Sequence, residues 1–259
     1  SYNATNAQLE SVVWNNGVIQ SLGVTGLARG VNNSGVVVGE TGSASLTVPD
    51  GYAYSWTSGG GVNNLGTLGG AHSGAYDINE AGVITGFAWP TGAAFSTFGQ
   101  GFIYENGTMT GLGTVNSPTG YSRGHGINDS DQIAGRASEY DFSGSNKMTT
   151  YWDENQNLTQ FVDPSGYSTA EQINNNGLIA GAARDPSTGS VLYAATWDTS
   201  GNKSVLNGVG IYGSKAWSLN DDGVIVGYNM IGTGVANRRA FVALDGVNMV
   251  DLNTIVDLT

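Results

Sequence analysis

A segment of thirteen residues recurs five times along the chain, and this repetition constrains the fold more than any other feature. The copies lie at 28–40, 75–87, 124–136, 170–182 and 216–228. Each is built around an asparagine, and these are Asn32, Asn79, Asn128, Asn174 and Asn220, with spacings of 47, 49, 46 and 46 residues. A period in the forties indicates a repeat architecture such as a propeller or a solenoid.

Each copy predicts a β-hairpin. Apolar residues occupy alternate positions on both sides of a four-residue turn, which is the period of a strand. The turns read NNSG, NEAG, NDSD, NNNG and NDDG. Asparagine bonds the turn backbone, and the last position needs a positive φ, which glycine supplies four times and Asp131 once. The carboxylates in NDSD and NDDG also allow calcium binding, although turn chemistry alone accounts for these residues.

A second kind of hairpin lies between these copies. It carries an aromatic residue, a short polar turn and an apolar residue eight or nine positions later. The aromatic residues are Trp14, Trp56, Tyr104, Trp152 and Trp197, and their partners are Leu22, Leu65, Leu112, Phe161 and Leu206. A sixth, degenerate copy occupies 240–252. We expect the aromatic side chains to pack between sheets.

One period therefore holds four antiparallel strands, which is the blade of a β-propeller. The sequence predicts an all-β protein, with a single propeller domain over 1–259. The repeats lie near 23–65, 70–112, 119–161, 165–206 and 211–252, with an outer hairpin at 11–22. Five asparagine hairpins and six aromatic hairpins favour six blades, the sixth closed by strands from the two termini. The alternative is five blades with the first hairpin as an additional flap.

Two stretches carry a family resemblance, NNLGTLGGAHSGAYDINEAGVITG at 63–86 and GFIYENGTMTGLG at 101–113. They resemble the bacterial extracellular HAF repeat family, whose pattern is a His-Ala-Phe strand, an N-G turn, L-G-T-L-G-G and I-N-x-x-G-x-[IV]-x-G. The His of that pattern is missing, because the corresponding strands begin at 52–54, 101–103 and 239–241 with Tyr-Ala-Tyr, Gly-Phe-Ile and Arg-Ala-Phe. The resemblance covers almost the whole chain. It implies an exported propeller-like repeat protein and carries no catalytic assignment.

Composition excludes several functions. The net charge of −12, with only nine lysines and arginines, is unsuited to nucleic acid, which requires clustered cations. No apolar run is long enough to span a membrane. The absence of cysteine removes disulfides and thiolate metal sites. Few lysines, many Asn, Ser, Thr and Gly residues and an acidic balance favour an extracellular or cell-surface bacterial protein. The start at Ser1 fits a processed mature form and a trimmed chain equally well.

The position three residues before the repeated asparagine is the main functional signal. Its neighbours are uniform across the copies, whereas this position holds five different residues, which are Arg29, Tyr76, His125, Glu171 and Trp217. Equivalent positions of propeller blades form a circle around the axis. We therefore expect these five side chains to converge on one axial pocket that binds a ligand. The competing interpretation is that they pack between blades.

Long variable loops on a rigid scaffold are a second expected binding region. They add Trp89, Tyr121 and Tyr140 as aromatic candidates, and Arg123 lies nearby. Aromatic faces with polar neighbours suit sugar rings. The sequence thus predicts a ligand that is a glycan or polysaccharide, with no cofactor. The alternative without a ligand is that these aromatic residues pack in small apolar cores within the loops.

Two other functions stay open. A polysaccharide lyase needs a cation to neutralise a uronate carboxylate and a group that moves the α-proton, which Arg29 or Arg123, His125 and Tyr76 would supply. A glycosidase needs two carboxylates, for which Asp77 and Glu171 are candidates. The catalytic candidates are therefore Arg29, Tyr76, His125 and Glu171, without a spacing signature. The third possibility is a structural surface or matrix protein with no ligand.

Overall fold

A computed structural model describes residues 2–3, 8–42, 51–93, 99–115, 120–138, 147–164, 166–184, 191–208, 212–234 and 237–254. Within these ranges the chain consists of β-strands and the turns between them, with a short 3-10 helix at Leu252–Thr254. The strands form five antiparallel sheets in the arrangement of a β-propeller with five blades. No helix of the described residues is long and apolar enough to cross a membrane.

The first two sheets cover the first half of the chain. The first has the order β1-β2-β3-β4-β5-β6, with β1 (Tyr2–Asn3), β2 (Gln8–Asn15), β3 (Val18–Val31), β4 (Val37–Thr41), β5 (Ala53–Thr57) and β6 (Gly61–Gly66). The second has the order β10-β9-β8-β7, with β7 (Gly69–Ile78), β8 (Ile84–Pro90), β9 (Gln100–Glu105) and β10 (Thr108–Gly111).

The remaining three sheets repeat the four-stranded order. The third holds β11 (Tyr121–Ile127), β12 (Ile133–Ser138), β13 (Met148–Trp152) and β14 (Leu158–Gln160). The fourth holds β15 (Ser168–Ile173), β16 (Ile179–Arg184), β17 (Leu192–Trp197) and β18 (Lys203–Val205). The fifth holds β19 (Ser214–Leu219), β20 (Ile225–Met230), β21 (Arg238–Ala243) and β22 (Val250–Asp251).

The preference for six blades is wrong, and the five-bladed alternative is confirmed. The outer hairpin at 11–22 does not begin a separate blade, because β3 runs without interruption from Val18 to Val31. Its first half pairs with β2 and its second half with β4. In the second blade a connection separates the inner strand from the aromatic hairpin before it, whereas here the hairpin continues directly into the inner strand. It therefore becomes an extension of the first sheet.

Contacts divide the chain into two compact units. Unit 1 comprises Ser1–Asp131 and Ser138–Gly144, and unit 2 comprises Gln132–Ala137 and Ser145–Thr259. Each has its own apolar core between sheets. In unit 1 the core holds Val38, Leu65, Ala75, Ile78, Ile84 and Phe102, and in unit 2 it holds Phe161, Ile173, Ile179, Trp197, Ile225 and Phe241.

The predicted packing of the hairpin aromatics is confirmed for the tryptophans of complete blades. Trp56, Trp152 and Trp197 are buried, and Tyr104 is partly buried against the unit 1 core. Trp14 is different, with 62% of its surface exposed. It lies on the hairpin that has no blade of its own, and no neighbouring sheet covers it within the described residues. The prediction that Trp14 is a core residue is therefore wrong.

The repeated asparagines perform two tasks at once. Asn79 Oδ1 accepts a hydrogen bond from Val83 N at 2.9 Å, which closes the turn, while its Nδ2 donates to the carbonyl of Asn128 at 3.1 Å. In unit 2, Asn174 Oδ1 accepts from Leu178 N at 2.9 Å and its Nδ2 donates to the carbonyl of Asn220, also at 2.9 Å. In these copies, and also in the bond from Asn32 to the carbonyl of Asn79, the amide joins the turn to the equivalent turn of the next repeat. This double role accounts for asparagine at this position.

A repeated serine ties the inner strand to the preceding blade. The four serines are Ser73, Ser122, Ser168 and Ser214, and each hydroxyl accepts a hydrogen bond from a backbone N–H of the preceding aromatic hairpin at 2.8 or 2.9 Å. Ser73 also donates to the carbonyl of Gly66 at 2.6 Å. These bonds satisfy backbone groups where buried strands meet, and they fix the position of each inner strand.

Candidate functional site

The variable position of the repeat lies on a β-bulge. The pairing of the inner strand with its neighbour shifts register between Ala28 and Gly30 in the first blade and between Ala75 and Asp77 in the second. The same shift falls between Ala170 and Gln172 in β15, and between Ala216 and Ser218 in β19. The residues left out of the ladder are Arg29, Tyr76, Glu171 and Trp217. A bulge bends the strand and redirects the side chain, and bulges are common beside functional sites.

In unit 1 the bulge residue Tyr76 is the centre of a group of polar and aromatic side chains. The guanidinium carbon of Arg29 lies 4.7 Å from the centroid of the Tyr76 ring. The His125 ring approaches the same ring edge-on, with 5.4 Å between centroids. Arg123 Nη1 donates to Tyr76 Oη at 2.6 Å. Together with Glu40 these residues form the tyrosine group, namely Arg29, Glu40, Tyr76, Arg123 and His125.

Charges in the tyrosine group are closely balanced. Glu40, on β4, forms an ion pair with Arg29. Asp77 follows Tyr76 in β7, and its Oδ2 accepts the backbone N–H of Ile127 at 3.0 Å. Two arginines are thus accompanied by two carboxylates. Arg29 is exposed, whereas Tyr76, Arg123 and His125 are half-buried, so solvent reaches the group.

Aromatic side chains support the tyrosine group from below. The Arg123 guanidinium carbon lies 4.1 Å from the centroid of Phe87 and 5.3 Å from that of Tyr121. His72 lies between Phe87 and Trp89, with its ring tilted against both at centroid distances of 5.3 and 5.2 Å. These contacts hold the Arg123 side chain in place through its planar face, which leaves its N–H groups to bond in the plane.

Two of the loop candidates differ from expectation. Trp89 lies in strand β8 and Tyr121 in strand β11, and they are 8% and 2% exposed. The expectation of exposed loop aromatics is therefore wrong for both, because the strands extend further than the alternation of residues indicates. They support Arg123 and His72 rather than offering a free face to a ligand. Tyr140 lies outside the described residues.

In unit 2 the bulge residues Glu171 and Trp217 meet at Lys215. The Lys215 Nζ is 2.7 Å from Glu171 Oε1 and 3.9 Å from the centroid of the Trp217 ring. The Trp217 ring is tilted against that of Tyr228 with 6.4 Å between centroids. The guanidinium carbon of Arg238 lies 4.4 Å from the centroid of the Tyr228 ring. We call Glu171, Lys215, Trp217, Tyr228 and Arg238 the lysine group.

The lysine group is positively charged overall. Burial lowers the pKa of Lys215 below its usual value, and the nearby guanidinium groups of Arg136 and Arg238 lower it further. The carboxylate of Glu171 acts in the opposite direction but does not offset these effects. Thr169 Oγ1 donates to Glu171 Oε1 at 3.1 Å, which helps to hold this carboxylate in position.

The five residues of the predicted circle fall into two groups, one in each unit. Arg29, Tyr76 and His125 come together in unit 1, and Glu171 and Trp217 contact the same lysine in unit 2. That all five side chains share one pocket stays a prediction.

Sequence reasoning missed Lys215, Tyr228 and Arg238. A signal for the lysine was present, because Lys215 and Arg123 are both five residues before the repeated asparagine. No cluster of three or more His, Asp or Glu side chains suited to a metal ion occurs within the described ranges.

Comparisons with known proteins establish similarity at the level of the fold. No protein-family model matches the chain, and no curated protein matches it. Among solved structures it resembles the β-propeller domain of the Trilobed protease from Pyrococcus furiosus, with a TM-score of 0.64 and 10% identity, over 97% of this chain and 75% of that one. It also resembles an acylaminoacyl peptidase from Pyrococcus horikoshii, with a TM-score of 0.56 and 10% identity, over 92% of this chain.

A third similar structure is a puromycin-hydrolyzing peptidase from Mycobacterium tuberculosis, with a TM-score of 0.51 and 11% identity, over 81% of this chain. The chain spans only 40% of the acylaminoacyl peptidase and 35% of the puromycin-hydrolyzing peptidase. At such low identities the similarity supports the propeller fold, and function has to be argued from the residues of the site.

Proposed function

We propose that this protein is a polysaccharide-binding β-propeller and that the tyrosine group of unit 1 is its main binding site. The observation that carries the proposal is the setting of Tyr76. Its side chain leaves the strand ladder at a bulge, is only half-buried, and is surrounded by the hydrogen-bonding side chains of Arg29, Arg123 and His125.

The chemistry of the tyrosine group suits a sugar ring. A pyranose has an apolar face of C–H groups that packs on an aromatic ring, and a rim of hydroxyls that donate and accept hydrogen bonds. Arg29, which lies over one face of the Tyr76 ring, and Arg123, which bonds its hydroxyl, supply donors, and Glu40 supplies an acceptor. Because the two arginines are accompanied by Glu40 and Asp77, the group favours neutral sugars over strongly charged ones.

The proposed setting is the outside of a bacterial cell. The acidic balance, the small number of lysines and the resemblance to an exported repeat family support this part of the proposal. A polysaccharide of the cell surface or of the surrounding matrix is the corresponding ligand class.

Substitution of Tyr76 tests the proposal. Retardation in gels that contain neutral polysaccharides should be strong for the unchanged protein and much weaker for Tyr76→Ala, because stacking on an aromatic ring is worth about 0.5–1.5 kcal/mol beyond the area it buries. Tyr212→Ala is the matched control, since Tyr212 is exposed but lies outside the group. The proposal fails if the unchanged protein is retarded by no polysaccharide, or if Tyr76→Ala is retarded as strongly as the control.

A polysaccharide lyase is a second candidate for the same residues. The favouring observation is the 2.6 Å hydrogen bond from Arg123 to Tyr76 Oη, with His125 beside the ring. In a lyase, Arg29 would neutralise the uronate carboxylate and Tyr76 or His125 would move the α-proton. Incubation with a uronate-containing polysaccharide separates the candidates, because a lyase produces unsaturated ends that absorb in the ultraviolet and a binding protein leaves the polymer intact.

A further inference from the structure

The lysine group of unit 2 concentrates positive charge in an acidic protein. Lys215, Arg238 and Arg136 are three of the nine cationic side chains of a chain with net charge −12. Arg136 and Arg238 both act on Lys215 through their charges, and Glu171 is the carboxylate that opposes them. Since positive charges repel one another, holding three of them together raises the local affinity for an anion.

Two members of the group are open to a ligand. Trp217 is 50% exposed, although its indole contacts Lys215 and lies against the tilted ring of Tyr228. Arg238 is exposed, and no carboxylate among the described residues forms an ion pair with it. The guanidinium of Arg238 stacks on Tyr228 through its face, so the N–H donors at its edges remain able to bind in the plane.

Lys215 itself is already engaged. Its ammonium group is paired with Glu171 and largely buried, with 18% of the side chain exposed. It therefore supplies positive potential beneath the site, while Arg238 supplies the donors that an incoming anion would meet. The planar edge of a guanidinium matches a carboxylate through two parallel hydrogen bonds.

We propose that Trp217 and Arg238 form a second carbohydrate subsite, which takes a carboxylated sugar of the hexuronate class. The sugar ring packs on the exposed part of the Trp217 indole, and its carboxylate accepts hydrogen bonds from Arg238 within the positive field of Lys215 and Arg136. This inference rests on the proposed carbohydrate-binding function but concerns another group of residues and another class of sugar.

Paired ligands test the subsite directly. Calorimetry with oligogalacturonate and with the same oligomer after reduction of its carboxylates compares a charged sugar with its neutral counterpart. The charged oligomer should bind the unchanged protein, and Arg238→Gln should weaken that binding about ten-fold, as expected for one charge-assisted contact. Trp217→Ala should weaken it to a similar degree, whereas Trp217→Phe should retain most of it.

Controls separate a local effect from a general one. Arg239→Gln removes the adjacent arginine, which is ion-paired with Asp251 at 3.2 Å, and should leave binding unchanged. Melting temperatures of all variants verify that they are folded. Inorganic sulfate at matched ionic strength should compete poorly, because a tetrahedral anion without a sugar ring makes no contact with Trp217.

Each result decides between the two proposals. Charged-oligomer binding that survives both Arg238→Gln and Trp217→Ala overturns the subsite. Binding of the neutral oligomer through Tyr76 without any binding of the charged oligomer also overturns the subsite, and leaves the main proposal standing. If neither oligomer binds and no polysaccharide retards the protein in gels, both proposals are overturned. If inorganic sulfate competes for the subsite as well as the charged oligomer does, the assignment of this subsite to a sugar carboxylate is overturned.

Discussion

Apart from Arg238, the tyrosine group and the lysine group are built at the same repeat positions with different residues. Arg123 and Lys215 are both five residues before their repeat asparagine, and each bonds the bulge residue of the preceding blade, Arg123 to Tyr76 at 2.6 Å and Lys215 to Glu171 at 2.7 Å. The architecture of the contact is thus the same. The two groups differ in charge. Arg123 bonds the phenol of Tyr76, whereas Lys215 pairs with the carboxylate of Glu171 and lies near the guanidinium groups of Arg136 and Arg238.

One repeated scaffold therefore carries two groups of side chains that differ in charge. Asparagine and serine are repeated because they hold turns and strands in place, whereas the bulge residue is free to vary because it has left the hydrogen-bonded ladder. Substitutions in the shared scaffold should therefore affect both units equally, and substitutions in the two groups should not.

The largest effect is expected from the scaffold. Asn79→Ala in unit 1 and Asn174→Ala in unit 2 each remove at least three side-chain hydrogen bonds, and each leaves a turn N–H and the carbonyl of the next turn unsatisfied. Each change should lower the free energy of unfolding by about 3 kcal/mol. Urea denaturation measures this loss. A markedly smaller loss at one of the two sites would contradict the equivalence of the repeats.

A medium effect is expected from the acidic partner of each group. Glu171→Gln leaves the largely buried Lys215 without its carboxylate and should cost about 2 kcal/mol. Glu40→Gln breaks the more exposed pair with Arg29 and should cost about 0.5 kcal/mol. The same denaturation experiment checks both values, and equal losses would show that the two groups do not differ in burial and charge as described.

Much of this arrangement was predictable from the repeat alone. Period and alternation predict four-stranded blades, and the turn residues predict positive φ, which is observed at Asp131 with φ 60°. The bulges were not predictable, because a bulge depends on how two strands pair. The residues of one strand do not determine that pairing register. The same limit explains Trp89 and Tyr121, whose burial depends on how far β8 and β11 extend.

The smallest effect is expected from pH. Burial lowers the pKa of Lys215 in the folded protein, so the unfolded chain holds this proton more tightly. Between that lowered pKa and the ordinary value of 10.5, stability should rise with pH on account of Lys215. Lys215→Met should lack this increment. Because burial also raises the pKa of Tyr54 and Tyr151, the difference between the two proteins is the quantity to measure.

The result that would count against this account is a pair of identical stability profiles between pH 8 and 11, a range set by the ordinary lysine value. Arginine keeps its proton throughout, so Arg239→Met, which removes a cation paired with the carboxylate of Asp251, should show no such difference and serves as the control.

Nuclear magnetic resonance of the side chains can follow ligand binding at the tyrosine group and at the lysine group in the same protein. The chain has six tryptophans and two histidines, so indole and imidazole signals are few enough to assign by substitution. Oligogalacturonate should shift the indole signal of Trp217, and its carboxyl-reduced form should shift the ring signals of His125 without moving that indole. Shifts of both signals by both oligomers to the same extent, or of neither by either, would contradict two groups of distinct chemistry built at equivalent positions of one repeat.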